Sequence, residues 1–339
     1  MSQQIVGIQP DDLQRLAAGK AMSSLLQIAL DLDLFAKLRG RRLAPDELAE
    51  TWGMPQTSGR FIAQSLVNLG LLTYEDGKVG NGTLAEAYLA EDSPMRRALS
   101  MPLRYAVTSE QLQAHLMDPP ASQWYQMRDD GRIHDARALL WQDPDGWIGK
   151  LAEQRHEMRV ARGQALAKVY DFSEHRRLLD LGGSSGGYCY GIRSVHPHLQ
   201  CVVMDLPEAA EVARRHAAAA GLENDIEVVA GSIFTDDVPP GIDVVMTANM
   251  LHLWGPEDIV TILRKLHGAL EEGGAMLVRE TFFEDDWTGP IEAVFDGFVL
   301  LGKEGKSGWQ PTYSEMEALL KEAGFRDVER RPNLVVGRK

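Results

Sequence analysis

The stretch Asp180-Leu181-Gly182-Gly183-Ser184-Ser185-Gly186-Gly187 follows Arg177-Leu178-Leu179, so a short apolar strand runs directly into a glycine-rich turn. The residues after the turn read as helix, and strand, turn and helix in that order open an α/β unit. Further strands are predicted downstream over 201–205, 226–230, 242–246 and 275–279. Leu206-Pro207-Glu208 starts a helix that reaches Ala220-Gly221, with proline at a helix start. A second helix, over 256–270, carries Ile259, Ile262, Leu263 and Leu266 on one face and stops before Gly273-Gly274. A helix over 314–323 and two closing strands over 325–331 and 334–337 complete the pattern. Such alternation predicts a largely parallel sheet covered by helices on both faces. Ligands of such sheets bind beyond the carboxyl ends of the strands.

The chemistry of the turn narrows the ligand. A dinucleotide fingerprint needs Gly-x-Gly-x-x-Gly; with its last two glycines on Gly183 and Gly186, the first falls on Leu181, so that fingerprint fails. The Lys-Ser/Thr pair of a nucleoside-triphosphate loop is absent as well. What remains is Asp180 ahead of the glycines and Asp205 at the end of the next strand. A carboxylate in the second position accepts ribose hydroxyls, and one in the first suits a cationic amino-acid group. The ordered set fits S-adenosylmethionine, which carries an ammonium, a sulfonium and a ribose. The same glycines would also suit a turn that serves packing alone.

Upstream, residues 1–105 read as helices with one small hairpin. Leu25, Leu26, Ile28, Ala29 and Leu32 cluster on a helical face, Pro45-Asp46-Glu47 opens a helix, and another helix over 58–69 ends at Gly70. The hairpin, over 71–79, turns at Asp76-Gly77. Helices followed by a hairpin form a winged-helix pattern, which either binds DNA or serves dimerisation. The 339-residue chain has 49 acids against 35 bases, a net charge of -14, and a DNA reader needs clustered cations. Arg41, Arg42 and Arg60 are too few to supply them, so dimerisation is the expected role and no nucleic acid the expected partner. No apolar run approaches the ~20 residues of a membrane span, and two cysteines form no disulfide framework. The expected location is the cytoplasm. Residues 106–165 read as helical connectors rich in Trp, Met, Gln and Arg.

The whole chain resembles the small-molecule O-methyltransferases of plant caffeate type and of bacterial antibiotic pathways. The resemblance rests on 180–186, Asp205-Leu206-Pro207, Gly231-Ser232-Ile233-Phe234, Leu251-His252-Leu253-Trp254, Glu280 and 312–325. It implies a Rossmann-like class I methyltransferase domain, with its connector, over 106–339 and an N-terminal winged-helix-like dimerisation domain over 1–105. It also implies a homodimer, a small-molecule acceptor and S-adenosylmethionine as cofactor. Gly182 and Gly183 would lie along the methionine part, Asp205 and Leu206 at the ribose, and Ser232 and Ile233 at the adenine. The family usually has aspartate where this chain has Ser232.

The resemblance places the catalytic histidine at His252, after the fourth strand. A hydroxyl nucleophile must lose a proton, and an imidazole, with a pKa of about 6.5 when unperturbed, suits that task. Glu280 matches an acid that flanks the base; Leu253 and Gln310 stand where relatives have two more acids. The thinned polar shell admits either an acceptor that needs little base assistance or a non-methylating reaction with the same cofactor. A third reading is a ligand-responsive winged-helix regulator. Arg155 falls where relatives have a pocket methionine, and Arg159 lies one turn later on the same helical face. This pair suits a polar or carboxylated acceptor. Asp296 and Phe298 are further acceptor-site candidates, and Trp124, Trp141, Trp147 and Phe295 could form aromatic walls. No metal ligand set is expected.

Overall fold

The computed structural model describes residues 19–93, 95–96, 99, 125–127, 133–135, 147–290, 292–293 and 310–339. The chain divides into two compact units, Met1–Ala106 and Val107–Lys339.

The first unit contains helices α1 (Gly19–Asp31), α2 (Leu34–Lys37), α3 (Pro45–Trp52), α4 (Gln56–Asn68) and α5 (Thr83–Tyr88). Strands β1 (Arg42–Leu43), β2 (Leu72–Glu75) and β3 (Lys78–Asn81) form an antiparallel sheet in the order β1-β3-β2. Asp76 and Gly77 both take positive φ, 50° and 75°, as a tight hairpin turn requires. Glu47 reaches back to accept a hydrogen bond from the amide of Ala44, which fixes the start of α3. Leu34, Phe35, Leu38, Leu48 and Leu66 fill the core. The expected apolar face of α1 is rotated. Leu25, Leu26, Ala29 and Leu30 belong to the core or pack against it, whereas Ile28 and Leu32 are 41% and 45% exposed. The helix stops at Asp31, so Leu32 no longer follows its stripe.

In the second unit, the segment expected to be helical connector includes two short paired strands, β4 (Tyr125–Met127) and β5 (Ile133–Asp135), before the long α6 (Trp147–Val169). There follow β6 (Arg177–Leu181), α7 (Gly187–Arg193), β7 (Gln200–Asp205), α8 (Pro207–Ala220), β8 (Ile226–Ala230), β9 (Val244–Ala248) and α9 (Pro256–Ala269). The chain ends with β10 (Ala275–Arg279), α10 (Tyr313–Glu322), β11 (Arg326–Arg331) and β12 (Leu334–Arg338). The seven-stranded sheet has the order β11-β12-β10-β9-β6-β7-β8. Strands β10, β9, β6, β7 and β8 are mutually parallel; β12 pairs antiparallel with β10 and with β11. The chain runs outward from β6 to β8 and then returns to lay β9 on the other side of β6. The order therefore reverses between β6 and β9, where open α/β sheets form a ligand crevice.

Both faces of the sheet are covered, which explains the continuous apolar strands. Leu179, Leu181, Val202, Met204, Val245 and Val278 share one core with residues of α9 and α10. Leu178, Cys201, Val203, Met246 and Leu277 share the other with residues of α6 and α7. Strand β9 begins two residues later than expected. The carboxylate of Asp243 accepts hydrogen bonds from the amides of Arg176 and Arg177 at 2.7 and 3.0 Å, anchoring the chain before the ladder starts. Helices α6 and α7 touch backbone to backbone. A Cβ on Gly191 would lie 2.6 Å from the amide nitrogen of Gln164 and 2.8 Å from the Cα of Gly163. One turn earlier, a Cβ on Gly187 would lie 2.6 Å from the Cβ of Arg159. This crossing sets α6, and Arg159 with it, against the glycine turn.

Candidate active site

At the carboxyl end of β6 the amide of Gly182 donates to the carbonyl of Met204, so the ladder with β7 continues into the turn. The turn then folds over Asp180. A Cβ on Gly183 would meet the Cγ of Asp180 at 2.7 Å, so only glycine permits this approach. Asp180 is buried; its Oδ2 accepts a weak bond from the Cys189 thiol, and its Oδ1 has no partner. Burial pushes its carboxyl up to about 7, against the opposing pull of Arg159. Asp205 ties the turn to its own strand end: Oδ2 accepts from the amide of Ser184 and Oδ1 from that of Leu206, both at 2.7 Å.

Arg159 lies within the charge influence of both acids. Burial lowers its pKa, and the charges of Asp205 and Asp180 work against that shift. Its Nη1 is buried without a hydrogen-bond partner. An unpartnered carboxylate oxygen on Asp180 and an unpartnered guanidinium nitrogen on Arg159, beside the glycine turn, are complementary to a zwitterion. The α-ammonium and α-carboxylate of an amino acid fit this donor set. The methionine part of S-adenosylmethionine is such a group.

The next turn is tied to the same edge. Gly231 donates its amide to the carbonyl of Asp205. The Ser232 amide donates to Oδ2 of Asp236 at 2.8 Å, and the ammonium of Lys265 donates to the carbonyls of Ile233 and Asp236 at 2.7 and 2.6 Å. Ile233 is buried. The missing acid at position 232 thus has a carboxylate four residues later, bonded to the Ser232 amide.

His252 lies on a short 3-10 turn, Leu251–Leu253, just beyond β9, and is buried. Glu280, fully buried at the end of β10, holds this turn. Its Oε1 accepts from the amides of Met250 and Leu251 at 2.9 and 3.0 Å. Its Oε2 lies 3.0 Å from Nδ1 of His252, an ion-pair approach in which the two groups are not aligned as a hydrogen bond. Gln310 donates to the carbonyl of Thr281, one residue past Glu280, and Leu253 packs against the core. On the neighbouring residues, Arg279 donates from Nη1 to Oδ1 of Asn249 at 2.6 Å, while Asn249 donates its amide to the carbonyl of Arg279.

The structure therefore brings Asp180, Gly182, Gly183, Asp205 and Leu206 together with Arg159, ties Ser232 and Ile233 to the same strand end, and joins His252 to Glu280. Arg155 is half-buried, one turn before Arg159 on α6. Asp296, Phe298, Phe295, Trp124, Trp141 and the side chain of Trp147 lie outside the described residues. The sequence reading missed Asp236, Lys265, Asn249 and Arg279. Only Arg279 had a visible signal, as a lone charge closing an apolar strand. Among the described residues, no group of three or more His, Cys, Asp or Glu is placed to hold a metal ion, and no helix is long and apolar enough to cross a membrane.

This arrangement defines a Rossmann-like α/β fold that carries a candidate base and a candidate zwitterion cradle at one edge of its sheet. The O-methyltransferase domain family matches residues 149–326, more than half of the chain, and the protein belongs to that family. It is 27% identical to the L-tyrosine C(3)-methyltransferase of Streptomyces lavendulae, over 94% of this chain and 88% of that one. It is 29% identical to the 3-hydroxy-5-methyl-1-naphthoate 3-O-methyltransferase of Streptomyces sahachiroi, over 94% of this chain and 90% of that one. The crystal structure of human N-acetylserotonin methyltransferase in complex with SAM has the same fold, with a TM-score of 0.77 at 24% identity over 99% of each chain. Family membership favours methyl transfer over the non-methylating and regulatory readings of the sequence.

Proposed function

We propose that this methyltransferase moves a methyl group from S-adenosylmethionine to a small phenolic acceptor of secondary metabolism, with His252 as general base and Glu280 orienting it. One juxtaposition carries the reading: Asp180 and Asp205, with Arg159 of α6 in their charge field, and the His252–Glu280 pair stand at the carboxyl ends of neighbouring strands in one sheet.

When bound, the donor supplies an electrophilic methyl carbon on a sulfonium sulfur. Asp180 holds the ammonium of its methionine part and Arg159 the carboxylate. This moves Arg159 from the acceptor side, where the sequence reading put it, to the donor side; Arg155, Asp296 and Phe298 stay with the acceptor. Gly182 and Gly183 admit the donor's backbone-like segment. Asp205 and Leu206 meet the ribose, and Ser232 and Ile233 bound the adenine.

With its proton on Nδ1 facing Glu280, His252 presents Nε2 as the basic nitrogen, and the Glu280 carboxylate steadies the imidazolium that forms. Alignment of nucleophile, methyl carbon and sulfur supplies most of the acceleration. A phenolate is nucleophilic at oxygen and at the ortho carbon, and relatives of both kinds, O- and C-methylating, accompany this chain. Residues 1–105 form a winged-helix-like dimerisation domain and 106–339 the connector and catalytic domain, giving a cytoplasmic homodimer. In support, the first unit joins helices to a three-stranded sheet and leaves Phe61 and Leu84 each 62% exposed.

Calorimetric titration with S-adenosylhomocysteine tests the donor site; no heat of binding overturns the reading. Replacing His252 by alanine is expected to lower turnover while leaving that titration unchanged. Equal turnover would remove the histidine from the chemistry.

A further inference from the structure

Arg279 and Asn249 sit on the last residue of β10 and the first residue past β9, two parallel neighbours at the ligand-binding edge of the sheet. They are adjacent in sequence to the catalytic pair: Arg279 precedes Glu280, and Asn249 stands three residues before His252. Two hydrogen bonds lock them together, from the Asn249 amide to the Arg279 carbonyl and from the Arg279 Nη1 to the Asn249 Oδ1. Asn249 holds its backbone in the left-handed region, at φ 51°, a conformation asparagine tolerates better than most residues.

The guanidinium so fixed is half-buried. Among the described residues, the hydrogen bond to the neutral Asn249 amide is the one its side chain makes, and it forms no ion pair. Among the described residues its other side-chain N–H donors have no partner, and arginine cannot shed its charge to relieve the mismatch. Arg159, by contrast, lies within the charge influence of Asp205 and Asp180. A half-buried guanidinium held in place at the strand-end edge that also carries His252, with no ion pair among the described residues, is complementary to a planar anion.

We propose that Arg279, held by Asn249, is the acceptor-recognition group of this enzyme and that the acceptor carries a carboxylate on or near its phenolic ring. The proposal rests on the methyltransferase reading and sharpens its acceptor to an aromatic acid. Arg279 binds the carboxylate through its fork, which sets the ring against His252. The Asn249 bond prevents the guanidinium from turning away to solvent.

The test uses the full chain saturated with S-adenosylhomocysteine and two acid–amide pairs, salicylate with salicylamide and caffeate with caffeamide. Binding is followed by calorimetry. The acid of at least one pair is expected to bind about tenfold or more tightly than its amide, as charge-assisted hydrogen bonds imply. Arg279→Met is expected to erase that preference, and Arg279→Lys, which keeps the charge without the fork, to keep a reduced one. Acids and amides binding equally, neither acid binding, or an acid preference that survives Arg279→Met would each overturn the proposal. Titration of both variants with S-adenosylhomocysteine checks that the donor site is intact. Failure of the unaltered protein to bind S-adenosylhomocysteine would overturn the methyltransferase reading instead, so the two failures are distinguishable.

Discussion

Glu280 does not merely face His252; it grips the backbone that carries it. One carboxylate oxygen accepts from the amides of Met250 and Leu251, and the other lies 3.0 Å from the imidazole. Glu280→Gln keeps the volume but sets an amide N–H against the Nδ1 proton. Turnover is expected to fall about ten- to a hundredfold, with affinity for S-adenosylhomocysteine little changed. Unchanged turnover at saturation would show that the carboxylate only anchors the loop.

The burial of Asp180 predicts a pH dependence for the donor site. With its carboxyl near 7, an ammonium-bearing ligand must drive off a proton below that pH. S-adenosylhomocysteine affinity should rise with pH up to about 7, by at most about tenfold per unit, and then level off. The unliganded protein should respond in the opposite sense. The folded state holds this proton more tightly than the unfolded chain, whose carboxyl titrates near 3.8, so this group's contribution to stability falls as pH rises from about 4 to about 7. Asp180→Asn should flatten the binding profile at weak affinity. A wild-type profile flat between pH 5 and 7, measured by calorimetry, would contradict the assignment.

Asp205→Ala should damage both fold and binding. It leaves the amides of Ser184 and Leu206 without their acceptor, at a cost of about 1–3 kcal/mol for each that stays buried. Urea unfolding should show the loss, and S-adenosylhomocysteine binding should weaken by more than the change in stability explains. Asp205→Asn, which can still accept one of the two bonds, should recover part of the stability and little of the binding.

Lys265 is far in sequence from the adenine turn but pins two of its carbonyls. Lys265→Met should raise the KM for the donor by about three- to tenfold, with a smaller effect on kcat, because a charged hydrogen bond contributes about 1.5–3 kcal/mol and water replaces part of it. An unchanged donor KM would show that the turn holds its shape unaided.

The sheet was legible in the chain because its strands are short apolar runs bounded by acids and glycines. Ile226–Ala230 and Ala275–Arg279 coincide with the strands read from the sequence. The fourth strand slipped because Asp243 spends its carboxylate on two distant amides, a contact that no periodicity records. Of the candidate site, the order Asp180, glycine turn, Asp205 was readable since it lies on contiguous strand ends. The place of Arg159 was not, because it depends on how one helix crosses another. Likewise, Ser232 looked like a lost acid in one dimension, although Asp236 folds back onto its amide.

The contact between α6 and α7 has a practical bearing on enzyme engineering. At Gly187 and Gly191 there is no room for even a methyl group, so that seam is a fixed datum from which the donor pocket is measured. Libraries aimed at new acceptors should leave both positions untouched and diversify elsewhere. An alanine at either would shift the register of the whole wall and mask any gain in selectivity.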